Sequence, residues 1–449
     1  VSEALPGLPP APEAAKPRDA AVAILFRRTG AGVELCWMRR EAALFAGGFY
    51  AFPGGRVDAQ DSQVPVDGAE GEAALFRAAA ARETFEEVGV LVAAGADRVL
   101  PEALAEMRQQ LLKGVAPFHQ LLARKGLHLD ARHFLDAGRW ITPPFMPKRF
   151  DARFFLVEAP AGAEPEVSRA EATEGGWISP PAALEKWAEG RALLHPPNLY
   201  AMQVMADFHG VPEAQARLAE PPYCPGHIAT RLEFQRGIRV FPLETPTLPP
   251  ARHTNCYVVG NGELLIVDPG AAEVRQYARL LALVEGLKAE GKRPRAIFLT
   301  HHHADHIGGA RAVKERLGIP IWCHQRTAER LPFPADELFG DGEVISLNGL
   351  PPMRFTVVHT PGHARGHLCL VDELSHAALV GDMVSGVSTI VIDPPDGDMG
   401  DYVQQLERLR KLPVGTIYPA HGPAIPDGPG KLLEYLRHRE QREQLVLAA

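Results

Sequence analysis

The stretch Thr300-His-His-His-Ala-Asp-His306 places His301, His303, Asp305 and His306 in the spacing H-x-H-x-D-H. Imidazole and carboxylate are metal-competent ligands, and here they are packed into one short loop. The preceding residues, Arg295-Ala-Ile-Phe-Leu-Thr300, read as a buried strand, so the ligands project from a loop at its C-terminal end. Open catalytic metal sites are commonly built there. Gly308 and Gly309 follow at once and permit close backbone approach before a helix expected at 310–317.

Working outward, further candidate ligands arrive in order: His363 within HTPGHARGH, Asp382 within LVGDM and His421 within YPAHG. Each follows a short apolar run, which puts each at a strand end. This ordered set resembles the metallo-β-lactamase superfamily, with Asp268 of IVDPG matching its early acidic motif, over about residues 232–430. The resemblance implies an αββα four-layer sandwich carrying two metals. By position, His301, His303 and His363 would hold one metal, Asp305, His306 and His421 the other, and Asp382 would bridge them. Zinc suits such mixed ligation, and a water shared by two such cations loses its proton near neutral pH and becomes a nucleophile. Asp305 could also orient that nucleophile. The electrophile stays open among an ester, a thioester and a phosphodiester. His302, His359 and His367 read equally as ligand-supporting, substrate-facing or structural.

A second constellation lies upstream. The alanine-rich segment from about Ala73 to Val88 is helical by composition and stops at Gly89. On it Glu83, Glu86 and Glu87 stand at i, i+3 and i+4, sharing one face, with Arg82 beside them. Clustered carboxylates repel unless a cation or arginine compensates, and hard oxygen ligands select Mg²⁺ or Mn²⁺. The segment RETFEEVGV resembles the Nudix box, G-x5-E-x7-R-E-U-x-E-E-x-G-U, through Arg82, Glu83, Glu86, Glu87, Gly89 and Val90. The resemblance implies an α/β/α sandwich that cleaves nucleoside diphosphate derivatives with Mg or Mn. Thr84 replaces an aliphatic residue, and Ala74 stands where the upstream glutamate belongs, although Gly68 keeps the glycine register. Either Glu70 or Glu72 substitutes, or the stretch from Gly55 to about Glu72 is an insertion after a Gly54-Gly55 turn.

The segments FPGGRVD, WITPPFMPKRFDARFF and the later Trp177 look like coenzyme A-type Nudix hydrolases, although Arg40 and Leu44 depart from the CoA signature that Arg39 and Gly48-x3-Phe52-Pro-Gly-Gly55 fit. Lys148 and Arg149 are candidate phosphate contacts. Leu104, Met107, Leu111 and Leu112 have helical spacing and read as packing within a helical insertion at about 101–134.

The order expected along the chain is a flexible tail at 1–18, a Nudix-like domain at 19–215, a linker at 216–231, the lactamase-like domain at 232–430 and a C-terminal helix at 431–449. From GDMGDY through YPAHG to EYLRHREQREQ the chain resembles the β-lactamase-like endoribonuclease branch, which cleaves single-stranded RNA with zinc. That branch usually continues into a winged-helix-like domain, which would begin near Ala449. Either the chain is shortened or the resemblance to this branch does not hold throughout, and any RNA grip supplied by that domain is absent.

Composition sets bounds on these readings. A chain of 449 residues exceeds one ordinary core, and hydrophobic content of 46% with charged content of 23% is globular. The net charge of −8 supplies no global basic field for nucleic acid. Five cysteines, at 36, 224, 256, 323 and 369, show no paired spacing, which fits a reduced interior and makes cytoplasm the default. The N-terminus lacks a basic start and an apolar core, and no apolar run reaches the roughly 20 residues of a membrane span. The expected function is a two-domain metal-dependent hydrolase with two Zn in its C-terminal domain, Mg or Mn in its Nudix domain, and a small-molecule substrate such as a CoA ester or nucleoside diphosphate derivative. The alternative is a single-stranded RNA endonuclease whose degenerate Nudix domain serves as a binding module.

Overall fold

The structure is a computed structural model that describes residues 15–42, 44, 46–146, 148–222 and 224–448. Of the tail expected at 1–18, residues 1–14 lie outside the described residues, and Arg18 already begins a strand. The chain divides into two compact units, one comprising Ala14–Trp187 and Ala192–Thr230, the other Arg231–Ala449 with Ala188–Arg191. The stretch expected as a linker, 216–231, carries the end of helix Val211–Ala219 and falls almost wholly within the first unit.

In the N-terminal unit the apolar run at 20–26 lies in strand Arg18–Thr29, which turns back into Gly32–Arg40 through a tight hairpin. The same strand pairs in parallel with Phe150–Glu158 along its length, from Arg18↔Phe150 to Phe26↔Glu158. Helix Gly71–Val88 packs against this sheet through Ala78, Ala79, Ala80 and Ala81, all fully buried, whose small side chains let backbone approach backbone. Gly89 adopts the left-handed conformation at φ 70 and ends the helix, its N–H donating to Phe85 O. Helices Pro101–Leu112 and Phe118–Arg124 occupy the segment read as a helical insertion. Met107 and Leu111 are buried there, whereas Leu112 is 44% exposed, because it steps off the i, i+3, i+7 stripe. Arg108 from this insertion donates to the carbonyls of Glu86 and Glu87, capping the last turn of the first helix.

The C-terminal unit holds a seven-stranded and a five-stranded sheet. The first runs in spatial and chain order from Leu232–Gln235 to Glu337–Leu338, antiparallel at first and parallel from Glu263–Val267 onward. Val258, Ile266 and Ile297 turn one face toward helices Val274–Ala289 and Ala310–Leu317. The second sheet, Val344–Leu347 through Ile417–Pro419, is covered by helices Met399–Lys411 and Gly428–Leu447 through Tyr402, Leu406, Leu432 and Tyr435. Between the sheets Tyr257 meets Tyr418 edge-on at 5.9 Å, completing a helix–sheet–sheet–helix order. Strands Glu263–Val267, Arg293–Phe298, Ala378–Gly381 and Ile417–Pro419 end just before Asp268, His301, Asp382 and His421. The four-layer packing thus delivers the chemistry-bearing loops to one edge.

Candidate metal centre and glutamate cluster

Asp268 organises the loop that carries the H-x-H-x-D-H stretch. Its Oδ1 accepts from Thr300 N at 2.8 Å, and its Oδ2 accepts from Thr300 Oγ1 at 2.6 Å and from His306 Nδ1 at 2.8 Å. Because the Thr300 hydroxyl donates to Asp268, its oxygen is free to accept from His301 Nδ1–H at 3.0 Å. His363 Nδ1–H donates to Val391 O at 2.8 Å and His421 Nδ1–H to His253 O at 2.9 Å. Each of these rings has its proton held on Nδ1 by an acceptor, so each presents the Nε2 lone pair to the centre.

Those lone pairs converge. His301 Nε2 and His363 Nε2 lie 3.0 and 2.9 Å from His303 Nδ1. His421 Nε2 lies 3.4 Å from Asp305 Oδ2 and 3.3 Å from Asp382 Oδ1, while His306 Nε2 lies 3.6 Å from Asp382 Oδ1. The groups His301/His303/His363 and Asp305/His306/His421 each bring their ligand atoms within 4.8 Å of one another, and His301/His306/Asp382 links the two. His306 Nε2 and Asp382 Oδ1 are buried without a hydrogen-bond partner. Two neighbouring buried atoms that both carry lone pairs and lack a hydrogen-bond partner fit divalent cations, which would satisfy both.

The electrostatics match that fit. Burial and the neighbouring imidazoles hold His301 well below the usual histidine range and bring His303 down to about 4. Burial also works against protonated His421, but Asp382 and Asp305 outweigh it and push this imidazole up to about 10. His306 rises for the same reason, its burial being outweighed by Asp305, Asp268 and Asp382. The carboxylates thus favour positive charge on the Asp305/His306/His421 side, which a bound cation would supply in place of protons.

The ambiguous histidines separate by their contacts. His367 is fully buried, accepts from Asp382 N at its Nε2 (3.1 Å) and donates from Nδ1 to Thr360 Oγ1 (2.8 Å), so it positions Asp382. His302 faces Asp396, with Nε2 3.5 Å from Oδ2. His359 bonds to Arg365 O and stacks on His324 at 4.2 Å, apart from the centre. Close packing is specified by glycine: a Cβ on Gly270 would sit 1.7 Å from Asp305 O.

In the N-terminal unit, Arg82 lies at the middle of the glutamate cluster. Its Nη1 donates to Glu83 Oε1 at 2.9 Å and Glu86 Oε2 at 2.8 Å, and its Nε and Nη2 donate to Asp61 Oδ1 and Oδ2 at 2.7 and 3.0 Å. Glu87 accepts from Gly54 N at 2.8 Å, and its other oxygen is 3.8 Å from Arg40. Burial raises all three glutamates, Glu83 to about 7. Among the described residues, the groups of three ligand atoms within 4.8 Å all lie in the C-terminal unit. The glutamates do share one face, but Arg82 bridges two of them.

Neither Glu70 nor Glu72 takes the upstream acidic position. Glu70 flanks the helix N-terminus without capping it through its side chain, and Glu72 pairs with Arg153 at 2.9 Å. Asp61 takes it instead, only 1% exposed and bidentate to Arg82. It follows Gly55 at the G-x5-E spacing, with residues 62–81 replacing the usual seven-residue spacer, and this register was available in the sequence. Thr84 is buried and satisfied by Ala80 O at 2.7 Å, which lets a hydroxyl stand at an aliphatic position. Arg149, a candidate phosphate contact, donates to the Thr142 and Ala15 carbonyls.

Residues 249–421 match the metallo-β-lactamase superfamily, and residues 63–205 match the NUDT19 Nudix domain. The chain joins a NUDT19-type Nudix domain to a metallo-β-lactamase domain. The lactamase-like protein adaB of Aspergillus niger is 34% identical over 197 residues, 44% of this chain and 58% of that protein. The atrochrysone carboxyl ACP thioesterase AgnL7 of Paecilomyces divaricatus is 31% identical over 196 residues, 44% of this chain and 59% of that protein. The chain thus spans somewhat over half the length of these curated relatives. Among solved structures, a Nudix hydrolase from Alicyclobacillus acidocaldarius is 27% identical with a TM-score of 0.41, covering 46% of this chain and 99% of that one. No described helix is long and apolar enough to cross a membrane.

Proposed function

We propose that the lactamase-like domain is a two-zinc hydrolase of a thioester and that the Nudix domain is a Mg- or Mn-dependent diphosphatase of CoA or nucleoside-diphosphate type. The observation that carries the first half is the convergence of two ligand groups around the orphaned His306 Nε2 and Asp382 Oδ1. When bound, a pair of divalent cations supplies activation of water and stabilisation of the developing oxyanion. This chain's own residues fix the geometry: His301, His303 and His363 hold one side, Asp305, His306 and His421 the other, Asp382 stands between them, and Asp268 and His367 hold tautomer and loop. In the reaction a bond forms from water oxygen to the acyl carbon, the C–S bond breaks, and the thiol leaves with a proton.

Two things support a thioester as substrate: the similarity to a protein named an ACP thioesterase, and the linkage to a Nudix domain of CoA-like pattern. A second reading of the Nudix domain, as a non-catalytic binding module, is favoured by the engagement of its glutamates with Arg82, Gly54 and Arg40.

Mass spectrometry of an acyl-CoA incubated with the protein, Zn²⁺ and Mg²⁺ separates these. Free CoA should form in the wild type and in Glu86→Gln but vanish in His303→Ala, and 3′,5′-ADP should vanish only in Glu86→Gln. Free CoA produced equally by His303→Ala would refute the thioesterase. Absence of 3′,5′-ADP from the wild type would leave the Nudix domain a binding module.

A further inference from the structure

Helix Gly428–Leu447 and the loop around Ser388 and Thr389 line a groove of about 520 Å³. From the helix, Lys431, Glu434, Arg437 and Gln441 recur at helical spacing and present one stripe to it. Lys431 pairs with Glu434 at 2.7 Å, so those two charges offset. Arg437 is exposed and has no hydrogen-bond or ion-pair partner among the described residues, so the groove is lined by an unpaired guanidinium together with the hydroxyl residues Ser388, whose Oγ is 3.1 Å from Ser385 Oγ, and Thr389. A planar cationic fork in a groove that also carries hydroxyl groups is chemistry that receives a phosphate.

The loop that lines the groove is also bonded to the metal centre. Tyr435 OH accepts from Ser385 N at 2.8 Å and donates to Ser388 O at 2.7 Å, which pins the loop to the helix. The same loop is bonded to two candidate ligands, through Val391 O to His363 Nδ1 and through Gly386 N to His421 O at 2.7 Å. A ligand seated in the groove therefore lies against the segment that orients His363 and His421.

We propose that this groove binds the phosphate-bearing arm of the metal centre's substrate, the substrate being a small-molecule phosphate ester that carries the scissile acyl group. The proposal rests on the thioesterase reading. A small molecule is favoured over a polynucleotide because the volume falls in the ~300–1,000 Å³ range of small-ligand sites. The lining's aromatic residue, Tyr435, carries the Lys431 ammonium 5.4 Å from its ring centroid, which obstructs base stacking. The chain's net charge of −8 also disfavours a long polyanion.

The test is hydrogen–deuterium exchange on the full zinc-loaded chain, with 4′-phosphopantetheine and with unphosphorylated pantetheine as probes. It is paired with the kcat/KM preference for an acyl-CoA over the matching acyl-pantetheine. The phosphorylated probe alone should protect residues 386–391 and 430–441, and Arg437→Gln should remove the protection and narrow the preference about tenfold. Arg311→Gln, on an exposed helix paired with Glu315, should keep both. Equal protection by the two probes, no protection in these segments, or protection only by a single-stranded oligoribonucleotide would overturn the proposal. Phosphate-dependent protection lost in Arg437→Gln, without cleavage of any thioester, would keep the groove and sink the thioesterase.

Discussion

Asp61→Asn should destabilise the Nudix domain far more than its position on a turn suggests. Asp61 is 1% exposed and receives two charge-assisted bonds from Arg82, itself only 12% exposed at the side chain. Removing one partner of a buried pair typically costs ~3–5 kcal/mol. Arg82 keeps its bonds to Glu83, Glu86 and Arg56 O, and asparagine can still accept from Asp58 N, so the loss should be about 2–3 kcal/mol. For a unit of roughly 200 residues that corresponds to a fall in Tm of about 4–12 °C. Tryptophan fluorescence reads this unit well, since Trp37, Trp140, Trp177 and Trp187 lie in it and only Trp322 lies elsewhere. Glu72→Gln, which removes an exposed pair with Arg153, should stay within about 0.5 kcal/mol of wild type. A Tm change below about 1 °C in Asp61→Asn, or one no larger than in Glu72→Gln, would refute the assignment of Asp61 as the anchor of Arg82.

Burial, with Arg40 nearby, holds His195 down to about 4. Above pH ~6.5 folded and unfolded states are both neutral there; as pH falls toward 4 only the unfolded state gains the proton, removing up to about 3 kcal/mol of stability. Urea titrations between pH 7 and 4 should show that slope in the wild type and a shallower one in His195→Gln; equal slopes would contradict it. Gly270→Ala alters no ligand, yet its Cβ would strike Asp305 O, so zinc affinity and the Tm of the lactamase-like domain should both fall. Gly286→Ala, on a helix with nothing within 4 Å of the new Cβ, should instead be neutral or stabilising by about 0.5–1 kcal/mol. If both glycine variants behave alike, close packing of the metal loop is not what selects Gly270.

The convergence of the His and Asp side chains was legible because metal-ligand spacing is written locally. His301, His303, Asp305 and His306 sit in one loop, and the distant His363, Asp382 and His421 each follow an apolar strand that announces its own end. The glutamate helix was legible through its 3.6-residue period and Gly89. Asp61 was legible only by counting forward from Gly55, because residues 62–81 break the usual spacer and counting backward from Arg82 lands on Ala74. His302, His359 and His367 could not be sorted by spacing, since their roles depend on Asp396, Arg365 and Asp382, which only tertiary packing brings alongside. That an arginine beside the cluster would compensate it was legible, but not that Arg82 would hydrogen-bond Glu83 and Glu86 at once, because spacing cannot say which oxygen an arginine will take.

The central claim is that the lactamase-like domain holds two cations, divided between His301/His303/His363 and Asp305/His306/His421. Equilibrium dialysis against Zn²⁺ followed by elemental analysis tests it directly on the wild type, His363→Ala and His421→Ala. Each variant should bind one zinc fewer per chain than the wild type, with folding verified by circular dichroism. Folded variants that retain the wild-type zinc content, or a wild type that binds none, would contradict it.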